Sequence, residues 1–285
     1  MISINLTTTS SRLGLCSATV WSLINQKKKP DRIVLWISKE AYLSDDGVKN
    51  IPEWVYDFNR IVDIIDVRVV ENTGPYRKII NALIEAEPSD VLVYADDDVI
   101  YGELWLDILL NAFYANKESI AVASRIRLTK KNIIGKMQSY SQYNVCIEKK
   151  TFTNGYIITG VRGCVLNKNM IKESLLTNKD YISLAPRTDD IWISKILELS
   201  NTKVEACPDA LNYAQEIMHK NNALSLLNTY QFKNNNIAFI LLHKASQRIL
   251  SYFGLQKTNN DLSIKKFHLI LIVSNFDRVM NEPLK

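Results

Sequence analysis

The sequence predicts an α/β protein with a mostly parallel central sheet, and two observations carry that expectation. Short apolar runs alternate with longer segments of helical periodicity in the first part of the chain. Polar clusters follow those runs directly, at the carboxyl ends of the expected strands, where ligands gather in open α/β sheets.

Taken in order, Ile2 to Leu6 reads as a buried strand. Thr7 to Ser11 then supplies hydroxyls and a helix cap before an apolar periodic segment through Ile24. Asp31 to Ile37, Ile61 to Val70 and Val91 to Ala95 form further strands, with helices near Val48 to Phe58 and Pro75 to Ala86. Because helical crossovers separate them, these strands are expected to run parallel. Past Asp98 a helix is expected over Gly102 to Ala115, followed by shorter strands around Ile120 to Leu128 and Tyr156 to Leu166. From Asn221 onward the pattern is mainly helical, broken at Lys233 to Asn236 and Lys257 to Asp261.

The composition, 285 residues with 47% hydrophobic and 23% charged, is that of a globular chain with one α/β domain and an appendage, or two small domains. Cys16, Cys146, Cys164 and Cys207 lack zinc spacing and disulfide density, so reduced, mostly buried thiols are expected. Met1 leads straight into the first strand rather than into a signal region, and the longest apolar stretches are too short to cross a bilayer as helices. A soluble protein, or one peripheral at a membrane, is expected. From Lys220 onward nine Lys/Arg stand against Asp261, Asp277 and Glu282, a net +6 that leaves −1 for the body. Such a tail points to lipid headgroups rather than nucleic acid, because aromatic residues do not interleave its cations.

Three clusters can carry chemistry. Asp96, Asp97 and Asp98 leave the end of a buried strand together, which is costly without a cation; Mg²⁺ or Mn²⁺ would be held by such carboxylates with substrate phosphates completing the shell. The plain alternative is a solvated loop or a capping cluster ahead of Gly102. Thr73-Gly74-Pro75-Tyr76-Arg77-Lys78 puts two cations in the first turn of a helix, against the helix dipole, which makes sense if a phosphate or an acidic neighbour meets them. Thr188-Asp189-Asp190-Ile191-Trp192 opens another helix with Thr188 or Asp189 as cap. Helix capping alone explains its carboxylates, whereas Trp192 beside them suggests a face for a sugar ring. Gly155, Gly160 and Gly163 would let backbone approach a ligand or shape a turn. Of three histidines only His219 is considered for a metal, and no Walker loop, nucleophile elbow or Cys-x-x-Cys occurs.

Leu6-Thr7-Thr8-Thr9, Gly74 to Lys78, Ala95 to Asp98, Gly160 to Gly163 and Thr188-Asp189-Asp190 together, in this order, resemble bacterial GT-A glycosyltransferases with an Asp-x-Asp motif, over about residues 1 to 210. The resemblance implies a Rossmann-like GT-A domain over 1–210, with a donor half of about 1–100 and an acceptor half of about 101–210, and a helical extension over 211–285. It implies that Asp98 is the metal ligand for Mn²⁺ or Mg²⁺, with Asp96 a metal or ribose contact and Asp97 beside them. It places the donor against Thr7, Thr8, Thr9, Arg12 and Lys78, with Gly160, Arg162, Gly163 and Trp192 as further contacts. Asp190 becomes the catalytic base of an inverting transfer, ionised by its helix N-terminus, and Asp189 could exchange roles with it, since the family often has glutamate there.

The expected partners are a nucleotide-sugar donor, a glycan or lipid-linked saccharide acceptor and, through the tail, an anionic membrane. Oligomerisation is left open. The expected setting is cytoplasmic, on the inner face of the cell membrane, in cell-envelope polysaccharide biosynthesis. The rival readings are a sugar-phosphate nucleotidyltransferase, whose glycine-rich cationic loop is missing at Thr7 to Arg12, and a non-catalytic scaffold subunit of a glycan assembly complex.

Overall fold

The computed structural model describes residues 1–217 and 237–267. Eight strands form one sheet in the order β3-β2-β1-β4-β11-β6-β12-β9. The members are β1 (Ile2–Thr7), β2 (Arg32–Ile37), β3 (Ile65–Val69), β4 (Val91–Tyr94), β6 (Ala121–Ala123), β9 (Thr151–Phe152), β11 (Cys164–Leu166) and β12 (Val204–Ala206). The first four in that order are mutually parallel, as is the β6–β12 pair; β11 runs antiparallel between β4 and β6, and β9 runs antiparallel to β12. A mixed, mostly parallel sheet is therefore what the alternating pattern specifies. β1 and β4 are buried almost throughout, as central strands covered on both faces must be.

Helices α1 (Leu13–Ile24), α2 (Glu53–Val62), α3 (Arg77–Glu85), α4 (Trp105–Ala115) and α7 (Asp189–Leu199) flank the sheet. In α1 the buried Cys16, Thr19, Val20, Leu23 and Ile24 recur at helical spacing and make the face that packs inward. Two short helices, α5 (Glu173–Leu176) and α6 (Tyr181–Leu184), precede α7, and α8 (Pro208–Leu211) follows β12. A second sheet, β10-β7-β8, joins Tyr156–Ile158, Ile126–Leu128 and Asn144–Val145, and β13 (Ala214–Glu216) pairs antiparallel with β5 (Val99–Tyr101). β13 is thus a strand inside the segment expected to be helical. The last described helices are α9 (Ile237–Tyr252) and a helical stretch at 259–267.

Several boundaries differ from the sequence pattern. The third strand starts at Ile65 rather than Ile61, because α2 runs on to Val62 and is closed by Asp63 in the left-handed conformation. Asn59 fixes this junction: its side chain both donates to and accepts from the Ile65 backbone, at 2.8 and 2.9 Å. The shorter strands expected around Ile120 to Leu128 and Tyr156 to Leu166 form as two in each segment, the two belonging to different sheets. No side chain caps the turn at Ser10–Arg12, α1 or α7, because the hydroxyls expected as caps have other partners. The break expected at Lys257 to Asp261 is shorter, since Thr258 and Asp261 exchange side-chain and backbone hydrogen bonds that start the helical stretch at 259. All four cysteines are buried and unbridged.

Candidate functional site

Strand order reverses at β1: from β1 the order proceeds to β2 on one side and to β4 on the other, all three strands running parallel. A crevice at the carboxyl ends of such a pair follows from the topology. It is there, as a cleft of about 340 Å³. Thr7, Thr8, Thr9 and Arg12 reach it from the end of β1, Asp96, Asp97 and Asp98 from the end of β4, Lys78 from the start of α3, and Asp189 and Asp190 from the start of α7.

The three aspartates have different surroundings. Asp97 is buried and accepts the Thr8 hydroxyl at 2.6 Å, while its other oxygen lies 2.5 Å from the Arg12 guanidinium. Burial pushes its carboxyl up to about 6, against the pull of Arg12. The Thr19 hydroxyl donates to the Asp97 carbonyl and accepts the Val99 N–H, pinning the turn between β4 and β5 to α1. Asp98 is partly open and meets Arg12 at 2.8 Å. Asp96 is partly open too and pairs with Lys78, and its N–H donates to the Tyr101 hydroxyl.

Lys78 is the hinge between two motifs. Its ammonium, almost fully buried, bonds Asp96 and lies 3.1 Å from Asp189 on α7. Burial alone would lower its pKa, but the charges of Asp189 and Asp96 outweigh that and hold it well above the ordinary lysine value. Arg77, its neighbour, is buried on Asp45 at 3.1 Å through both terminal nitrogens and donates to the Thr8 carbonyl at 3.0 Å. The two cations that oppose the helix dipole thus answer acidic neighbours.

Asp190 is partly exposed in the cleft. Its Oδ1 accepts the Gly160 N–H at 2.7 Å. Burial, and then the charge of Asp189, hold its carboxyl well above the usual carboxylate range. The helix N-terminus does not act on it alone: desolvation and the like charge of Asp189 push its carboxyl up. Asp189 is likewise raised, by burial first, with Lys78 opposing.

No protein-family model matches the chain, and no curated protein sequence does. Among solved structures it is similar to the mannosyltransferase PcManGT from Pyrobaculum calidifontis, determined in complex with GDP-Man and Mn²⁺, at 15% identity over 43% of this chain and 34% of that one, with a TM-score of 0.33. It is also similar to S. aureus TarS, at 16% identity over 73% of this chain and 35% of that one, with a TM-score of 0.46. The chain spans about a third of the length of each.

Four expected ligand contacts lie elsewhere. Trp192 is 5% exposed and packs between Tyr181 and Phe267, with ring centroids at 5.6 and 5.5 Å; it belongs to the core and not to the cleft. The reason is helical: two residues on from Asp190 is about 200° around the axis, so the side chain leaves on the opposite side. Gly163 has φ +99, and a Cβ there would sit 2.2 Å from the Trp105 ring, so its smallness serves packing. Gly160 serves Asp190, since a Cβ would come within 3.0 Å of that carboxylate and 2.7 Å of Tyr94. Arg162 binds Glu216 at 3.3 Å at the cleft's edge. His219, considered as a ligand, lies outside the described residues.

Sequence reasoning also missed several lining residues: Asp45, Arg125, Arg127, Tyr140, Arg187, Glu216 and Asn260. The alternation Arg125-Ile126-Arg127 was a usable signal, because period two puts both arginines on one face of a strand whose Ile126 is buried. Among the described residues no three His, Cys, Asp or Glu side chains group as a ready-made metal cage. A hard cation that takes one or two carboxylates and completes its shell with phosphate and water needs no such cage.

Proposed function

We propose that the chain is a metal-dependent glycosyltransferase of GT-A type, moving a sugar from a nucleotide-sugar donor to a hydroxyl of a growing surface glycan such as a lipopolysaccharide or capsule, with inversion at the anomeric carbon. The observation that carries this reading is convergence: segments distant in sequence, Thr7 to Arg12, Lys78, Asp96 to Asp98 and Asp189-Asp190, line one cleft at the sheet's switch point. Residues 1–210 would form the catalytic unit, and 211–285 the extension.

The acidic set fits a divalent ion. Asp98, with Asp96 second, would hold Mn²⁺ or Mg²⁺, both being partly open to the cleft, whereas Asp97 is buried and committed to Thr8 and Arg12. When bound, the ion supplies Lewis-acid neutralisation of the departing diphosphate. The chain's own residues do the rest. Thr7, Thr8 and Thr9 line the end of β1, where the nucleotide would lie. Gly160 fixes Asp190 Oδ1, leaving Oδ2 to accept the proton of the attacking hydroxyl. A carboxyl raised toward the working pH suits that task better than an ordinary aspartate, because the proton is taken with greater driving force. Lys78 holds Asp189 beside it, so the donor motif and the base share one ion-pair chain.

A screen of nucleotide sugars with Mn²⁺ and with Mg²⁺, detecting free nucleotide, tests the reading. Release from one donor, dependent on the ion, is expected; silence with every donor sinks it. The work would be done at the cytoplasmic face of the membrane. Among the described residues no helix is long and apolar enough to cross a bilayer.

A further inference from the structure

The cleft wall that faces Asp190 carries more positive charge than it balances. Arg125, immediately before β7, and Arg127 within it both line the cleft, together with Tyr140 and Glu216. In extended chain a spacing of two residues is about 7 Å, room for a small anion between two guanidiniums. Arg127 lies 5.1 Å over the Tyr140 ring, which fixes its plane, and donates to the Tyr143 carbonyl at 2.8 Å; its Nε is buried without a hydrogen-bond partner. Arg125 meets Glu216 Oε1 at 3.2 Å, and Arg162 meets the same oxygen at 3.3 Å. Among the described residues that 45% exposed carboxylate is the only acidic group ion-paired with any of the three arginines. Burial, and then the charge of Arg127, pull the Arg125 guanidinium down from its ordinary value, as expected of cations crowded without enough counter-charge.

The wall across the cleft is different. There Arg12, Arg77 and Lys78 are each matched by Asp97 and Asp98, Asp45, or Asp96 and Asp189. An arginine fork is suited to the paired oxygens of a phosphate or carboxylate; here one carboxylate serves Arg125 and Arg162, while Arg127 and Arg162 each spend one nitrogen on a backbone carbonyl, so part of that capacity is unused.

We propose that Arg125 and Arg127, with Arg162 sharing their neighbour Glu216, form a subsite for an oxyanion, a phosphate or carboxylate carried by the acceptor substrate. The word acceptor rests on the glycosyltransferase reading; the anion site does not. The diphosphate of a donor belongs with Asp96 and Asp98 at the ends of β1 and β4, so an anion on this wall enters from the side where Asp190 must meet a hydroxyl. A neutral oligosaccharide would leave the arginines uncompensated, whereas an acidic sugar or a sugar phosphate would satisfy them and orient its hydroxyls.

The test needs no turnover. Calorimetric titration of the full-length protein at low ionic strength uses inorganic phosphate and glucuronate as probes, with glucose as the neutral control. We expect at least one anion to bind and glucose not to, and the tighter anion names the group on the acceptor. Arg125→Gln should weaken the binding about tenfold, the scale of one charge-assisted contact. Glu216→Gln should tighten it, because the competing carboxylate is gone. This opposite sign separates an anion site from a structural cluster, in which both variants would only lower the thermal midpoint. Binding of GDP and UDP with Mn²⁺ should be the same in Arg125→Gln as in the parent. The proposal is overturned if neither anion binds, if Arg125→Gln binds as the parent does, or if nucleotide displaces the anion. Anion binding with this pattern but no activity on any nucleotide sugar would uphold the site and sink the transferase reading; activity without anion binding would do the reverse.

Discussion

The two walls of the cleft solve the problem of buried charge in opposite ways. On the wall built from β1, β4 and α3, every cation faces its own carboxylate: Arg12 on Asp97 and Asp98, Arg77 on Asp45, and Lys78 on Asp96 and Asp189. These pairs are short and largely shielded from water, so breaking one exposes a buried charge. On the opposite wall two arginines, Arg125 and Arg162, share one half-exposed glutamate, and Arg127 has no acidic partner among the described residues. A self-neutralised wall holds its geometry before any ligand arrives. A wall with surplus charge is completed by what binds to it. Asp190 stands between them, tied to the first by the Asp189–Lys78 pair and opening onto the second.

If Asp190 is where the walls meet chemically, Asp190→Asn lowers the transfer rate by about 10²- to 10⁴-fold while nucleotide binding, measured by calorimetry, stays as it was. The pH profile sharpens this. As the proposed base Asp190 would act deprotonated, and its carboxyl is held above the usual range, so the rate should climb as pH rises through that elevated value. Asp189 is one cause of the elevation, and Asp189→Asn should therefore move the ascending limb to lower pH. An active Asp190→Asn alongside an inactive Asp189→Asn would exchange the two roles.

Asp98→Ala addresses the first wall's capacity to release a carboxylate to an ion. Turnover should fall by about 10²- to 10³-fold, as when a group stabilising developing charge is lost. Stability should change by only about 1 kcal/mol, because Arg12 keeps Asp97. Parent enzyme that transfers undiminished in excess chelator would end the metal reading.

The first wall's self-neutralisation can be broken directly at Lys78. Lys78→Met leaves Asp96 and Asp189 without their shared cation, a loss of about 3 to 5 kcal/mol in denaturant unfolding near neutral pH. Without Lys78 the Asp189 carboxyl, already raised by burial, shifts further up in the folded protein, so the folded state holds more protons than the unfolded one between its ordinary and raised values. Stability then falls as pH rises through that window, and the deficit should shrink in acid. A deficit independent of pH would mean that packing of the lysine stem, rather than its charge, is what matters.

The contrast between the walls also marks what could be read from the sequence. The first wall was legible because its parts obey local rules: β1 alternates apolar with small polar residues, β4 is a continuous apolar run, and Asp96 to Asp98 follow β4 after Ala95. The topology then delivers them to one crevice with no further information. The second wall depends on pairing that no local pattern contains. Glu216 reaches Arg125 and Arg162 because β13 pairs with β5, and Ile217 donates to the Asp98 carbonyl at 2.7 Å. Trp192 misled for the reverse reason, since adjacency in a helix turns a neighbour in sequence to the far side. Ser263 was invisible too: its hydroxyl accepts from Thr188 at 2.8 Å, 75 residues away, in place of the backbone cap expected there.

The C-terminal helices put the smallest expected effect on the comparison, because they touch the second wall but also face outward. Asn260 lines the cleft, Asp261 accepts the Tyr140 N–H at 2.8 Å, and Phe267 packs on Trp192. In α9 the inward contact is made by Ser251, through the hydroxyl of Ser141 and the N–H of Ser139. Of the apolar side chains on this helix, Ile249 is 61% and Phe253 42% exposed beside Lys244 and Arg248, whereas Tyr252 also meets the body, its hydroxyl accepting the Ile133 N–H and its carbonyl the Asn132 amide. Ala238, Leu241 and Leu242 of the same helix, and the polar His243, have side chains outside the described set. An outward apolar stripe beside cations is the arrangement of an interfacial helix, in which each cation near an anionic surface contributes about 1 kcal/mol. Full-length protein should therefore sediment with anionic vesicles at low salt, progressively less as salt rises. Ile249→Ser with Phe253→Ser should lose the apolar part, and Lys244→Glu with Arg248→Glu the salt-sensitive part. Since these side chains make no inward hydrogen bond or ion pair, nucleotide-sugar hydrolysis in solution should be unaffected. Sedimentation that both double variants retain would place the membrane contact elsewhere. A parent protein that stays in the supernatant at low salt would mean that this stripe meets protein instead.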